Sequence, residues 1–192
     1  ITAAFGSTCG KIGILLAMAC VIGRCLLASG AAERIVRTAL AFVGERNAAM
    51  AFCGSAFVLG IPVFFDSLFL LAIPLVKATW LKVKKNYVLF AVALVAGGTM
   101  THSLVPPTPG PLFVAEELGV NLGTMILVGM AVGICCSTVG LLYARWLNKR
   151  MDVPLRETPE AMKKLEELAR RDISELPSLG LSLLPILLPV AL

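Results

Sequence analysis

Two ionisable residues stand inside apolar stretches of this sequence, and both could do chemistry. Asp66 is the only acidic residue within an apolar run, and His102 is the only histidine of the chain. A carboxylate at membrane depth costs about 2.5–3.5 kcal/mol on insertion scales, so such a residue is usually kept for binding or proton transfer. An imidazole changes charge near neutral pH, which suits a proton relay or a hydrogen bond to an anionic substrate.

Each of these residues also has a structural explanation. Asp66 could cap a helix that begins beside it, where backbone N–H groups favour negative charge. His102 could satisfy carbonyl groups that are freed where a helix breaks. Under the functional interpretation, the residues expected around a bound substrate and proton are Phe65, Asp66, Ser67, His102, Ser103, Thr108 and Gly110.

The composition indicates a membrane protein rather than a soluble domain. Of the 192 residues, 58% are hydrophobic and 15% are charged, and the mean hydropathy of +0.88 is too high for a soluble domain. The apolar residues fall in several runs, which one signal peptide or anchor helix would not produce. The net charge of +5 comes mostly from basic residues between these runs. Basic residues at such positions indicate which side of the membrane a segment faces and do not indicate a nucleic-acid partner.

The runs predict an all-α, polytopic membrane protein. The predicted segments are a transmembrane helix at 9–29, a re-entrant hairpin at 48–79, a broken transmembrane helix at 87–120, a transmembrane helix at 121–147, a cytoplasmic loop with an amphipathic helix at 148–178, and the start of a further transmembrane helix at 179–192. A polar loop is expected at 30–47. The first and last runs look cut, so we expect the chain to be about half of a longer transporter.

The segment at 48–76 is longer than one perpendicular span needs, and Gly60, Pro62 and Pro74 interrupt it. It is either one kinked helix or a re-entrant hairpin whose ends return to the same side. With the hairpin, the basic segments between the spans, which carry three, four and eight Lys or Arg, all lie on one side of the membrane. The positive-inside rule therefore favours the hairpin.

The segment from His102 to Pro111 contains four prolines and one glycine and cannot be regular helix, because proline lacks a donor and clashes with the preceding turn. A helix broken inside the membrane is the favoured interpretation, and an external proline-rich loop is the alternative. Broken helices expose backbone groups with which secondary transporters bind anions and coupling ions.

Other polar residues in the apolar runs have simpler explanations. Lys11 and Arg24 interrupt the first run near its opposite ends, where long side chains can reach the lipid headgroups. The six cysteines show no paired spacing and no partner histidine, so we expect small buried side chains and no metal or disulfide. No cofactor motif occurs. The sequence also lacks a His-Glu-x-x-His motif or a second membrane aspartate, which argues against an intramembrane enzyme.

Three motifs in order resemble the gluconate:proton symporter (gluconate permease) family. They are Gly60-Ile-Pro-Val-Phe-Phe-Asp66, Thr101-His-Ser-Leu-Val-Pro-Pro-Thr-Pro-Gly-Pro111 and Leu176-Pro-Ser-Leu-Gly-Leu-Ser-Leu-Leu-Pro-Ile-Leu-Leu-Pro189. Phe5-Gly-Ser-Thr8 and Gly30-Ala-Ala-Glu-Arg34 are similar too. Many members carry a second histidine where this chain has Thr108, so a paired-histidine mechanism does not transfer to this chain.

The resemblance implies proton-coupled uptake of gluconate, or of a related sugar acid or hydroxy carboxylate, across the inner (cytoplasmic) membrane. The family is grouped with an ion-transporter superfamily built of two inverted halves, each with a hairpin and a broken helix. By that analogy the full-length parent is a homodimer with an elevator-like movement. A sodium-coupled carrier, an anion exchanger and an uncoupled channel or structural subunit are the alternatives.

Overall fold

The computed structural model describes residues 2–151, 153, 155, 158–170 and 175–191. Over these residues the chain forms nine α-helices and no strand, which confirms the all-α prediction. The helices are α1 (Thr2–Ala28), α2 (Ala31–Val43), α3 (Ala48–Leu59), α4 (Phe65–Val83), α5 (Tyr87–Leu104), α6 (Pro109–Glu117), α7 (Leu122–Arg150), α8 (Pro159–Arg170) and α9 (Leu179–Ala191). The segments predicted at 148–178 and 179–192 fall partly outside the described residues, at 152, 154, 156, 157, 171–174 and 192.

The prediction of a polar loop at 30–47 is wrong, because most of this segment is helix α2. Its apolar face is buried and includes Ile35 and Val36. Glu33 and Arg37 lie one turn apart and form an ion pair of 2.8 Å. The charged residues that made the segment look like a loop therefore lie on an amphipathic helix.

Helices α5 and α7 pack antiparallel. Near the end of α7, Asn148 Nδ2 donates a hydrogen bond of 2.8 Å to Asn86 Oδ1, directly before α5. Near the start of α7, Gly129 lies against the carbonyl group of Leu104 at the end of α5, an approach that only a residue without a side chain permits. The start of α5 and the end of α7 thus share one end of the bundle. We call it the basic end, for its residues Lys82, Lys84, Lys85, Arg145, Lys149 and Arg150.

Helices α3 and α4 form a hairpin that opens towards the basic end. Along α3, Cys53 Sγ lies 3.9 Å from the Ser137 carbonyl oxygen, and a Cβ built on Gly133 would lie 3.0 Å from the ring of Phe57. Helix α3 therefore starts near the basic end and runs inward along α7. The first turn of α4 packs on Gly98 of α5, and α4 then returns to the start of α5. Its insertion into a bilayer from one side stays a prediction.

Within the part of the chain that the structure describes, two segments are long and apolar enough to cross a membrane, Tyr87–Glu117 and Leu122–Arg150. The first contains the interruption at 105–108, which separates α5 from α6. Helix α3 has 12 residues and is therefore roughly 18 Å long, shorter than the roughly 30 Å of a hydrocarbon core. The hairpin turn therefore lies inside the bundle and not at its far surface.

Aromatic residues lie at the basic end, as is usual where a membrane protein meets the headgroups. Lys84 Nζ lies 5.4 Å from the centre of the Trp80 ring. The Arg150 guanidinium lies at the same distance from Trp146. Tyr143 stacks on Trp146 with ring centroids 5.6 Å apart.

Helices α8 and α9 complete the described residues. The N–H of Ala161 donates to Thr158 Oγ1 at 3.3 Å, so Thr158 caps α8. Helix α8 packs on α4 with Leu165 buried, and α9 packs on α2 with Ile186 buried.

The expectation that the cysteines are buried is wrong for most of them. All six are free thiols, and Cys53 is the one that is buried; Cys9, Cys20, Cys25 and Cys135 are exposed and Cys136 is intermediate. The exposed ones lie on α1 and α7, each of which has one face against the bundle and one away from it. The thiol is a weakly polar group that suits such apolar outer faces.

Candidate functional site

Gly60 allows the hairpin turn to pack closely against α5 in the middle of the bundle. A Cβ built on Gly60 would lie 3.2 Å from the carbonyl oxygen of Gly98, so the turn contacts the α5 backbone directly. The turn residues at 61–63 are buried. Helix α4 begins directly after Phe64, whose side chain provides no cap for the first N–H groups of the helix.

The break between α5 and α6 is ordered by a local hydrogen bond. Val105 has an extended backbone, with φ of −115° and ψ of 122°, and the Pro106–Pro107 peptide bond is cis. The hydroxyl of Thr108 is buried and donates to the Val105 carbonyl oxygen at 2.8 Å. Helix α6 then begins at Pro109, where a missing N–H does no harm.

The hairpin turn and the helix break lie against each other. A cavity of about 10 Å³ lies between them, which is room for roughly one water. Its lining consists of Ala19, Ile61, Pro62, Val63, Phe64, Pro107 and Thr108. Phe64 also contacts His102 edge-on, with ring centroids 5.7 Å apart and planes at 62°. The two interrupted stretches of backbone therefore meet inside the bundle.

The structure brings Asp66 and His102 to this meeting point. His102 is half-buried, and its Nδ1 atom is buried without a hydrogen-bond partner among the described residues. Asp66 lies exposed in the first turn of α4, two residues after Phe64, whose ring contacts His102. An imidazole with an unused nitrogen is able to accept and release a proton.

The other predicted site residues have different surroundings. Phe65 packs inward, with its ring 2.9 Å from where a Cβ on Gly98 would lie. The buried Thr108 hydroxyl is engaged within the break, as described above. Ser103 and Gly110 are exposed and line neither of the cavities beside the hairpin turn.

A second, larger cavity lies between α1 and the start of α4. It measures about 280 Å³, close to the lower end of the roughly 300–1,000 Å³ typical of small-molecule pockets. Its lining consists of Cys20, Gly23, Arg24, Leu27, Val63, Phe64 and Ser67. Phe64 thus lines both this cavity and the small one, and its ring contacts the ring of His102.

Sequence reasoning missed the α1 side of this cavity. Cys20, Gly23, Arg24 and Leu27 are spaced as one face of a helix, which is the signal that was available. Their depth depends on packing, because a Cβ on Gly23 would lie 3.0 Å from the carbonyl oxygen of Pro62 in the hairpin turn. Arg24, the next residue, therefore lies at the level of the turn in the bundle, and its reach to the headgroups stays a prediction.

The described residues contain no group of three or more His, Cys, Asp or Glu side chains that could hold a metal ion. The side chains at and around the hairpin turn offer one carboxylate, one imidazole, one guanidinium and the hydroxyls of Ser67 and Thr108. Such a set can bind a small anion and move a proton.

Two apolar segments of membrane-spanning length and two interrupted backbone segments that meet inside the bundle are consistent with a fragment of an integral membrane protein. The comparisons with known proteins agree. The family described as GntP family permease matches residues 1–192, and the chain belongs to that family. No solved structure matches the chain.

Three relatives illustrate the similarity. An uncharacterised permease of Haemophilus influenzae is 40% identical over 100% of this chain and 40% of its own length. A gluconate permease of Pseudomonas aeruginosa is 33% identical over 98% of the chain and 41% of its length. A D-serine transporter of Escherichia coli is 32% identical over 100% of the chain and 42% of its length.

The chain thus spans about two fifths of the length of the curated relatives it matches. Their names are those of permeases and transporters.

Proposed function

We propose that the protein is a secondary active transporter that couples the uptake of gluconate, or of a related sugar acid or hydroxy carboxylate, to proton entry. The observation that supports this most is the contact of the hairpin turn with the helix break, through the Phe64 and His102 rings. Half-helix ends and freed backbone groups at such a point bind anions without many charged side chains.

The substrate is a small carboxylate. Relatives named as gluconate permeases and as a D-serine transporter match the chain at similar identity, 33% and 32%. Gluconate and D-serine both carry a carboxylate next to a carbon with a polar substituent. We therefore expect this part of the protein to recognise the carboxylate and the polar substituent on the adjacent carbon, which both compounds share.

Asp66 and His102 carry the coupled proton in this proposal. The support is the contact of His102 with Phe64, which directly precedes the first turn of α4 that contains Asp66, and the unused Nδ1 atom of His102. Phe65, Ser67, Ser103, Thr108 and Gly110 are proposed to contribute to the same substrate and proton site. Proton binding at this pair would offset the negative charge of the entering anion and so couple proton movement to anion movement.

Uptake of labelled gluconate into vesicles that contain the full-length protein tests the proposal. We expect accumulation with an inward proton gradient and no sodium, at about tenfold per pH unit for one proton per carboxylate. Accumulation driven by sodium alone would instead identify a sodium-coupled carrier. Downhill flux without accumulation would identify a channel, and exchange that needs internal substrate would identify an exchanger.

The resemblance of the motifs also supports two proposals about the assembled protein. It is proposed to cross the cytoplasmic membrane several times and to act there as a homodimer. Cross-linking of the full-length protein in intact membranes would show a dimer on a denaturing gel, and a monomer at all cross-linker concentrations would contradict it.

A further inference from the structure

Arg24 is the one cation among the described residues that line the larger cavity. The adjacent Gly23 packs on the buried turn between α3 and α4, and Phe57, two residues before the end of α3, packs on Gly133 near the middle of α7. Arg24 therefore lies far from both ends of the bundle. An arginine inside a membrane is costly to place and is usually kept for a ligand or a partner charge.

The described residues supply no partner charge for Arg24. It forms no ion pair among them, whereas Arg37 on the next helix is paired with Glu33 at 2.8 Å. Arg24 is exposed, so its guanidinium is accessible from the cavity that it lines. A guanidinium matches a carboxylate in shape and can donate two parallel hydrogen bonds to it.

The opposite wall of the cavity comes from the hairpin. Ser67 in the first turn of α4 offers a hydroxyl that can donate to or accept from a polar substituent. Phe64 offers an apolar ring that also contacts His102. The ring of Phe64 would therefore lie between a carboxylate bound in this cavity and His102.

We propose that Arg24 binds the carboxylate of the transported substrate in this cavity and that Ser67 binds the hydroxyl or amino group on the adjacent carbon. This inference rests on the proposed function and adds to it the group that recognises the anion. It also gives Phe64 a role, because a substrate that moves this ring changes the contact with His102.

Binding measurements on the purified full-length protein test the role of Arg24. Arg24→Gln should weaken gluconate binding about 10–100-fold, the loss expected for a hydrogen-bonded charge pair. Arg24→Lys should weaken it less, since it keeps the charge but loses the planar fork. Arg46→Gln, which alters an exposed arginine outside the cavity, is the matched control and should bind gluconate normally.

Cysteine protection provides a second test that does not depend on an arginine variant. Cys20 lines the cavity, whereas Cys25 is exposed on the same helix outside the lining. With each as the only cysteine, gluconate should slow maleimide labelling of Cys20 and leave labelling of Cys25 unchanged. The neutral sugar alcohol sorbitol should protect neither.

The outcomes separate the inference from the proposed function. If wild-type protein transports gluconate but Arg24→Gln binds it normally, or Cys20 is not protected, the substrate binds elsewhere and the inference is overturned. If the wild-type protein neither binds nor transports gluconate, D-serine or other small hydroxy carboxylates, the proposed function itself fails.

Discussion

Asp66 and His102 are the residues on which proton coupling depends in this account. Replacing Asp66 by Asn keeps the size and polarity of the side chain but removes its ability to ionise. We expect Asp66→Asn to lose proton-driven accumulation of gluconate and to keep exchange of internal for external gluconate, because the binding cavity is intact. Both activities can be measured in the same vesicles with and without a pH gradient.

The control for this substitution is Glu45→Gln, which neutralises an exposed carboxylate in the turn before α3. It should accumulate gluconate like the wild type. If Asp66→Asn accumulates gluconate about tenfold per pH unit as well, Asp66 is not the coupling group.

His102 is expected to set the pH dependence of uptake. His102→Gln retains hydrogen-bonding groups near Phe64 but does not titrate. The rate of uptake between pH 5 and 8 should therefore vary less with pH in the variant than in the wild type. Initial rates across this range measure the effect, and an unchanged pH profile would assign the titration to another group.

Among single residues, sequence reasoning found those with unusual chemistry and missed those with unusual positions. Asp66 and His102 stand out by type, and the structure places His102 against Phe64, two residues before Asp66. Arg24 has an ordinary type and an ordinary place near the end of an apolar run. Only the contact between Gly23 and the hairpin turn reveals its depth.

At the scale of the elements, the position of α4 depends on a close contact with α5. A methyl group on Gly98 would lie 2.9 Å from the Phe65 ring and 3.3 Å from Leu68. Gly98→Ala should therefore displace the start of α4 and destabilise the protein by about 1–3 kcal/mol. We expect a lower midpoint of thermal unfolding in detergent and slower gluconate uptake.

Gly54→Ala on α3 is the matched control. Gly54 is exposed, and a Cβ there meets nothing within 4 Å. Because alanine favours a helix over glycine, this variant should be as stable as the wild type or more stable by up to about 1 kcal/mol. Equal effects of the two substitutions would show that the contact at Gly98 does not hold α4 in place.

The sequence indicated the interrupted elements because proline and glycine have strong local effects. Helix α6 begins at Pro109 after the proline pair, and the turn at 60–64 contains Gly60 and Pro62. Helix α2 escapes sequence reasoning because its charged residues are also typical of a polar loop. Its burial depends on packing against α3 and α9. Helix α9 is remote in sequence, and neither contact can be read from the residue pattern of α2 itself.

At the scale of the whole molecule, the hairpin determines which basic segments share a side of the membrane. Arg46 precedes the start of α3 and Lys85 follows the end of α4, and both positions are exposed. Because the start of α3 and the end of α4 both lie near the basic end, we expect Arg46→Cys and Lys85→Cys to be labelled from the cytoplasmic side. Leu118→Cys, in the connection between α6 and α7, should be labelled from the opposite side.

A membrane-impermeant maleimide applied to whole cells and to inverted vesicles measures this topology in a cysteine-free background. Labelling of Arg46→Cys from the outside and Lys85→Cys from the inside would mean that the segment at 48–83 crosses the membrane. In that case the hairpin is a kinked span and the proposed site would need another arrangement.

The central claim, that substrate and proton move together, is tested most directly by proton flux driven by substrate. Vesicles of the full-length protein, with an internal pH-sensitive dye and no pH gradient, receive external gluconate. We expect internal acidification with wild-type protein and none with Asp66→Asn. Gluconate entry without acidification in the wild type would contradict it.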